Sequence, residues 1–248
     1  MMVSNSTPIQ VPYPRRRAIR SVLRAGIAAA LAVLADFDIQ GRENLPAGGP
    51  LILVSNHFSF LDPVAVIHIT KTPIEFLGGL RTPNAPVWTD IFRQMWGILP
   101  VRRGSSSRDT LIKAQSVLEQ DGMLAIFPEG GNWATVLRPP RPGAALLAAK
   151  TPARILPVGL DGLLDVFPMA GKGKRARVTI QIGKPFGPIA PDPTLPLRKH
   201  MDNLGHEMMK AIAELIPPAR RGFYSDDPAV REAAKGTEIY PWDNAVEG

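Results

Sequence analysis

Cysteine is absent from the 248 residues. Disulfides, thiolate metal sites and a cysteine nucleophile are therefore excluded, while the compartment stays open. Long apolar runs are missing too. The uninterrupted run Ala25 to Ala35 has 11 residues, against the roughly 20 needed to span a bilayer as a helix. No Gly-x-Ser-x-Gly elbow occurs, so a serine mechanism of that type lacks its signal. No internal repeat and no cluster with metal-ligand spacing is visible, so no metal is expected. Acidic residues are the minority, 22 against 29 basic, giving a net charge of +7. That balance suits a polyanionic partner: nucleic acid, an anionic membrane or phosphorylated substrates. The chain is 45% hydrophobic, which suits one medium α/β domain with a small appendage.

The charge is uneven along the chain. Arg15, Arg16, Arg17, Arg20 and Arg24 all precede the first acid, Asp36. Ile19, Val22, Leu23, Ile27, Leu31 and Leu34 recur at three- and four-residue steps, an apolar helical face. An arginine-rich amphipathic helix can lie in a membrane interface, and that is the expectation for residues 1–40. Two other readings compete. The helix can simply pack on the domain, or Val33-Leu34-Ala35 can mark a signal-peptide cleavage site. From Gly222 onward six acids face two bases, so the tail carries −4 and the rest +11. The division expected is a membrane-contacting segment 1–40, a domain 41–218 and an acidic tail 219–248.

Within the domain, apolar runs alternate with helical patterns. Leu51-Ile52-Leu53-Val54 reads as a buried strand. It runs into Asn56-His57, and five residues after the histidine come Asp62 and Pro63, a helix start with Asp as N-cap. On one continuous helix, residues five apart are separated by roughly 140°. Across a strand–loop–helix turn they can meet. A carboxylate bonded to one imidazole nitrogen fixes the tautomer and leaves the other nitrogen as a base. A helix cap beside a solvated loop histidine is the alternative for this stretch alone.

Three further strand ends are notable. Gly97 to Gly104 is a strand entering a basic turn at Arg102, whose planar fork suits phosphate. Met123 to Phe127 is a second buried strand ending on Pro128-Glu129-Gly130-Gly131, where glycine allows close approach to the backbone. Arg154 to Leu160 is another strand, with Pro157 inside it. Pro86 to Trp96 reads as a helix whose Trp88, Ile91, Phe92 and Met95 pack a core or an acyl-chain groove. His68, His200 and His206 fall on helices and carry no pattern of their own.

In this order the motifs resemble the glycerolipid acyltransferase family, the 1-acylglycerol-3-phosphate and related lysophospholipid acyltransferases. Asn56-His57 through Asp62 is similar to its first block, His-x4-Asp. Gly97 through Arg102 is similar to the second, Phe127 through Gly130 to the third, and Ile155 through Val158 to the fourth. The match covers residues 40–185 or so. The resemblance implies an α/β domain with a mostly parallel or mixed sheet flanked by helices. It implies transfer of an acyl group from acyl-CoA or acyl-carrier protein to an acceptor hydroxyl in phospholipid biosynthesis, without further cofactor. By that likeness His57 is the general base and Asp62 orients it. Arg102, Glu129, Gly130 and Asn56 bind the acceptor, Arg102 through its phosphate, and Pro157 shapes the acyl pocket.

One block departs. Many members continue the third block with Thr-Arg, where this chain has Gly131-Asn132, and Arg138 is the nearby replacement for that arginine. The implied setting is the cytoplasmic face of a membrane, peripheral or monotopic, with lipid favoured over nucleic acid because the arginines flank an apolar helix. Two other functions fit the same residues. One is an acyl ester or thioester hydrolase in which the dyad activates water. The other is a non-catalytic lipid-binding module.

Overall fold

A computed structural model describes residues 10–79, 85–101, 107–190 and 193–239. Seven strands form one sheet: β1 (Ala35–Gln40), β2 (Leu51–Ser55), β3 (Glu75–Gly79), β4 (Leu99–Val101), β5 (Met123–Ile126), β6 (Arg154–Asp161) and β7 (Ala176–Ile182). Their spatial order is β1-β7-β6-β2-β5-β3-β4, and only the β6–β7 pairing is antiparallel. The expected mixed α/β architecture is therefore the observed one.

A largely parallel sheet must be covered on both faces, and its strands then read as continuous apolar runs. β2 shows how. Ile52 and Val54 point into a core shared with α4 (Ser107–Leu118), α5 (Gly143–Lys150) and α7 (Leu197–Ala213). Leu51 and Leu53 point the other way. They meet a second core built with α2 (Asp62–Ile69), Trp96 of α3 (Trp88–Trp96) and Val166 of α6 (Val166–Ala170). Alternate side chains of one strand thus serve two layers.

The N-terminal helix α1 (Arg17–Leu34) lies on this second layer. Leu23, Ile27 and Leu34 join its core. The arginines expected at a membrane are largely turned inward. Arg20 is 5% exposed. It grips Glu75 of β3 with two bonds of 2.6 and 2.7 Å and gives Nε to the Trp96 carbonyl at 2.9 Å. Arg15 adds bonds of 2.7 and 3.0 Å to the same carboxylate. Arg24 donates to the Ile67 carbonyl at 2.6 Å and to that of Thr70 at the end of α2, where a helix presents its negative pole. The helix therefore packs on the domain. Its inner face is a docking face, while Ile19, Val22 and Val33 remain exposed. Among the described residues, no helix is long and apolar enough to cross a membrane.

The boundary expected at residue 40 cuts through one sheet, because β1 pairs with β7 along its whole length. At the other end, short 3-10 turns at Pro218–Arg220 and Gly222–Tyr224 bond to Leu137 through Leu137 N–H to Arg220 O at 2.9 Å and Phe223 N–H to Leu137 O at 3.2 Å. A last helix, α8 (Pro228–Ala234), is capped by Asp227, which accepts from the Ala229 amide at 2.8 Å. Beyond it, the Thr237 carbonyl accepts from Trp133 Nε1–H at 2.8 Å, tying the tail back to the domain.

Candidate active site

The site is built where β2 ends. Asn56 is fully buried. Its amide donates to the Leu160 carbonyl at 2.9 Å and accepts from the Leu160 amide at 2.8 Å, pinning the strand end to β6. With both ends of the amide engaged on backbone, Asn56 is a structural clamp.

The chain then turns through His57 to Ser59. Asp62 was expected to cap α2, but Leu61 holds that position and Asp62 is the first helical residue. Its carboxylate points back into the turn. Oδ2 accepts from the amides of Phe58 and Ser59, both at 2.7 Å, and from His57 Nδ1 at 2.9 Å. One oxygen thereby closes the loop and sets the ring. Burial raises the Asp62 carboxyl above its ordinary range, and the His57 contact and the two amides oppose that shift by favouring the charge. With its Nδ1 proton given to Asp62, His57 keeps a lone pair on Nε2. The imidazole stacks on Phe127 at 4.2 Å between centroids, the interplanar angle being 22°.

His57 lines a cleft of about 80 Å³. Its walls are apolar: Phe60, Val64, Phe76, Trp88, Phe92 and Phe127. Gly78 and Gly79 form one side, and Arg93 is the basic residue beside His57 among the described lining residues. Phe60 joins the rim together, meeting Trp88 at 5.9 Å and Phe167 at 5.8 Å. Of the helix read as a groove wall, Trp88 and Phe92 line the cleft, while Ile91 and Met95 are exposed.

Glu129 stands beneath this loop at the end of β5, 1% exposed. Oε1 accepts from the His57 amide at 2.8 Å. Oε2 accepts from Arg138 Nε at 3.1 Å and from the Arg138 amide at 3.3 Å. Burial pushes the Glu129 carboxyl up to about 7, opposed chiefly by the Arg138 charge. The same burial lowers the Arg138 guanidinium. Glu129 and Arg138, each 1% exposed, pair with each other inside the protein, and neither is among the described residues that line the cleft.

Pro157 lies within β6 opposite Val54 and is absent from the cleft lining. Gly130 is exposed with φ +80, a conformation that favours glycine. Arg102 falls outside the described residues. The stacking role of Phe127 and the lining role of Arg93 were not anticipated. Phe127 closes an apolar strand run, where an aromatic reads as core, and Arg93 lacks any motif. Among the described residues, no group of His, Asp and Glu could hold a metal ion.

A histidine bonded to a buried carboxylate, at the edge of a mostly parallel sheet and beside an apolar cleft, is the arrangement this α/β protein presents. The acyltransferase family model matches residues 36–161, about half of the chain, and the chain belongs to that family. A chloroplastic 1-acyl-sn-glycerol-3-phosphate acyltransferase of Brassica napus is 31% identical over 157 residues, covering 60% of this chain and 44% of the relative. A 1-acyl-sn-glycerol-3-phosphate acyltransferase of Chlamydomonas reinhardtii is 28% identical over 225 residues, 88% of this chain and 64% of the relative. The chain thus spans roughly half to two thirds of the length of these curated relatives. The crystal structure of the acyltransferase PlsC from Thermotoga maritima shares the fold with a TM-score of 0.54 at 20% identity, covering 78% of this chain and 79% of that one.

Proposed function

We propose that this protein moves a fatty acyl group from a thioester, acyl-CoA or acyl-carrier protein, to the hydroxyl of a lysophospholipid-type acceptor, 1-acylglycerol 3-phosphate being the preferred one. The observation that carries the reading is the 2.9 Å contact of His57 Nδ1 with Asp62, made by a ring that lines the cleft. The family membership and the curated relatives support the substrate class.

In this scheme His57 Nε2 takes the acceptor hydroxyl proton as the oxygen attacks the thioester carbonyl. The carbon–sulfur bond then breaks, and the same proton passes to the departing thiolate. The products are an ester and a thiol, and His57 is regenerated. A free hydroxyl is a weak nucleophile near neutral pH, so a positioned base contributes about 10²–10⁴-fold. Arg102, which follows Val101 in sequence, and Arg93 on the cleft wall are the proposed contacts for the acceptor phosphate. Ile19, Val22 and Val33 on α1, with Val87, Ile91 and Met95 around α3, give exposed apolar surface on elements packed against one another. That surface supports a peripheral or monotopic position on the cytoplasmic face of an anionic membrane.

The test is acyl transfer by purified protein with labelled acyl-CoA or acyl-carrier protein, offered glycerol 3-phosphate, 1-acylglycerol 3-phosphate, neutral lysophospholipids and a plain alcohol. Transfer to 1-acylglycerol 3-phosphate, reduced at least 10²-fold in a folded His57→Ala protein, is the expected result. Full activity in that variant overturns the role of His57. Acid release independent of acceptor reveals a hydrolase.

A further inference from the structure

The third block departs from the family pattern at Gly131-Asn132, and the structure gives the departure a physical context. A Cβ added to Gly131 would collide with the Trp133 ring. Glycine is therefore the residue that lets this indole fold back over the turn. The ring lies 3.7 Å from the Arg138 guanidinium carbon. Arg138 also donates to the Gly131 carbonyl, and its Nη1 is buried without a hydrogen-bond partner. The indole Nε1–H is fastened to the Thr237 carbonyl of the C-terminal tail at 2.8 Å. From Arg138 the contacts continue to Glu129 at 3.1 Å and from Glu129 to the His57 amide at 2.8 Å.

We infer that Trp133 is a positioning residue: seated on Gly131 and stacked on Arg138, it holds that guanidinium against Glu129, and Glu129 in turn fixes the loop that carries His57. The inference rests on the reading of His57 as the general base. A cation over an aromatic face in a desolvated site is held by the ring quadrupole. Without the ring, Arg138 loses the surface that orients it. Glu129, fully buried, then loses its countercharge and takes up a proton.

Glu129 is reached by Arg138 from its own loop and by the His57 amide from the turn after β2. When Arg138 swings away, the carboxyl that accepts the His57 amide loses its anchor, and the imidazole is no longer presented in one place. A misplaced base lowers kcat while the acceptor KM holds. A merely structural ring would lower the amount of folded protein without lowering kcat per folded molecule.

The experiment measures kcat and the acceptor KM per folded molecule for the wild type, Trp133→Ala, Trp133→Leu, Trp133→Phe and Glu129→Gln, with His57→Ala alongside. Trp133→Leu keeps apolar bulk without an aromatic face and serves where the alanine variant does not fold. The expected result is a kcat reduced about ten-fold in Trp133→Ala or Trp133→Leu with KM unchanged. Glu129→Gln reproduces the loss, and combining it with Trp133→Leu adds nothing further. Trp133→Phe keeps the aromatic face but not the bond to Thr237, and retains the wild-type kcat. An unchanged kcat in folded Trp133→Leu, or a Trp133→Phe protein as impaired as the leucine variant, overturns the inference. Full activity in folded His57→Ala overturns instead the base reading on which it rests.

Discussion

Glu75 and Glu129 are both sealed inside this protein against arginine, yet they are held in different ways. Glu75 receives both forks of Arg20, from α1, and a further pair of bonds from Arg15. Every strong bond to it comes from a charged donor. Glu129 has one guanidinium contact, at 3.1 Å, and relies on backbone amides for the rest. Its carboxyl is accordingly raised to about 7 by burial. The first carboxylate joins an outer helix to the sheet. The second stands under the residue proposed to do chemistry, with its charge only partly secured. Buried ion pairs are a poor source of net stability, but breaking one leaves a stranded charge. The comparison therefore predicts a large stability effect at Glu75 and a pH effect at Glu129.

The largest change is expected from Glu75→Ala. It strands Arg20, and denaturant unfolding should show a loss of about 3–5 kcal/mol. Asn56→Ala comes next. It leaves the Leu160 amide and carbonyl without their side-chain partners, for a loss of about 1–3 kcal/mol, read from the same unfolding curves. Glu129→Gln should change the pH dependence more than the magnitude. A carboxyl raised from 4.5 to about 7 on folding favours the folded state most below pH 4.5, and that contribution is lost as the pH rises to about 7. Relative to the glutamine variant, wild-type stability should therefore decline across that window. Parallel stability profiles would show that Glu129 does not titrate as its burial demands. The smallest effect is reserved for the exposed pair of Arg175 with Asp36, at 2.8 Å. Asp36→Asn should leave the melting temperature unchanged, since surface pairs contribute little.

How much of this was legible in the sequence depends on the range of each interaction. His57 and Asp62 were readable because the pair is local, five residues apart across a strand–helix turn. The helix Gly143–Lys150 was readable from its own composition. Glu75 carried no signal, because its arginines lie 55 and 60 residues away. The same range hides the partners of the arginines. Beside an apolar helix they read as a membrane motif, and the fold adds that Arg20 is enclosed against Glu75. β1 escaped notice although Ala35, Phe37 and Ile39 alternate with Asp36, Asp38 and Gln40, a two-residue period obscured by the alanine-rich helix running into it. Glu129 and Arg138 were each singled out, but their residue types could not show that the two charges meet each other.

The outer position of β1 has a consequence for the order of folding. Its partner in the sheet is β7, with Ala35 opposite Ala176. Roughly 140 residues must leave the ribosome between the two, which at about 5–20 residues per second takes on the order of 10–30 s. During that interval the first strand has a vacant edge, and the helix before it has much of its docking surface still unmade. The first strand is thus made well before the strand it pairs with and is among the last elements to find its place. A slow, late phase in refolding, sensitive to changes in β7 and indifferent to changes in α4, is the kinetic mark that such an arrangement leaves.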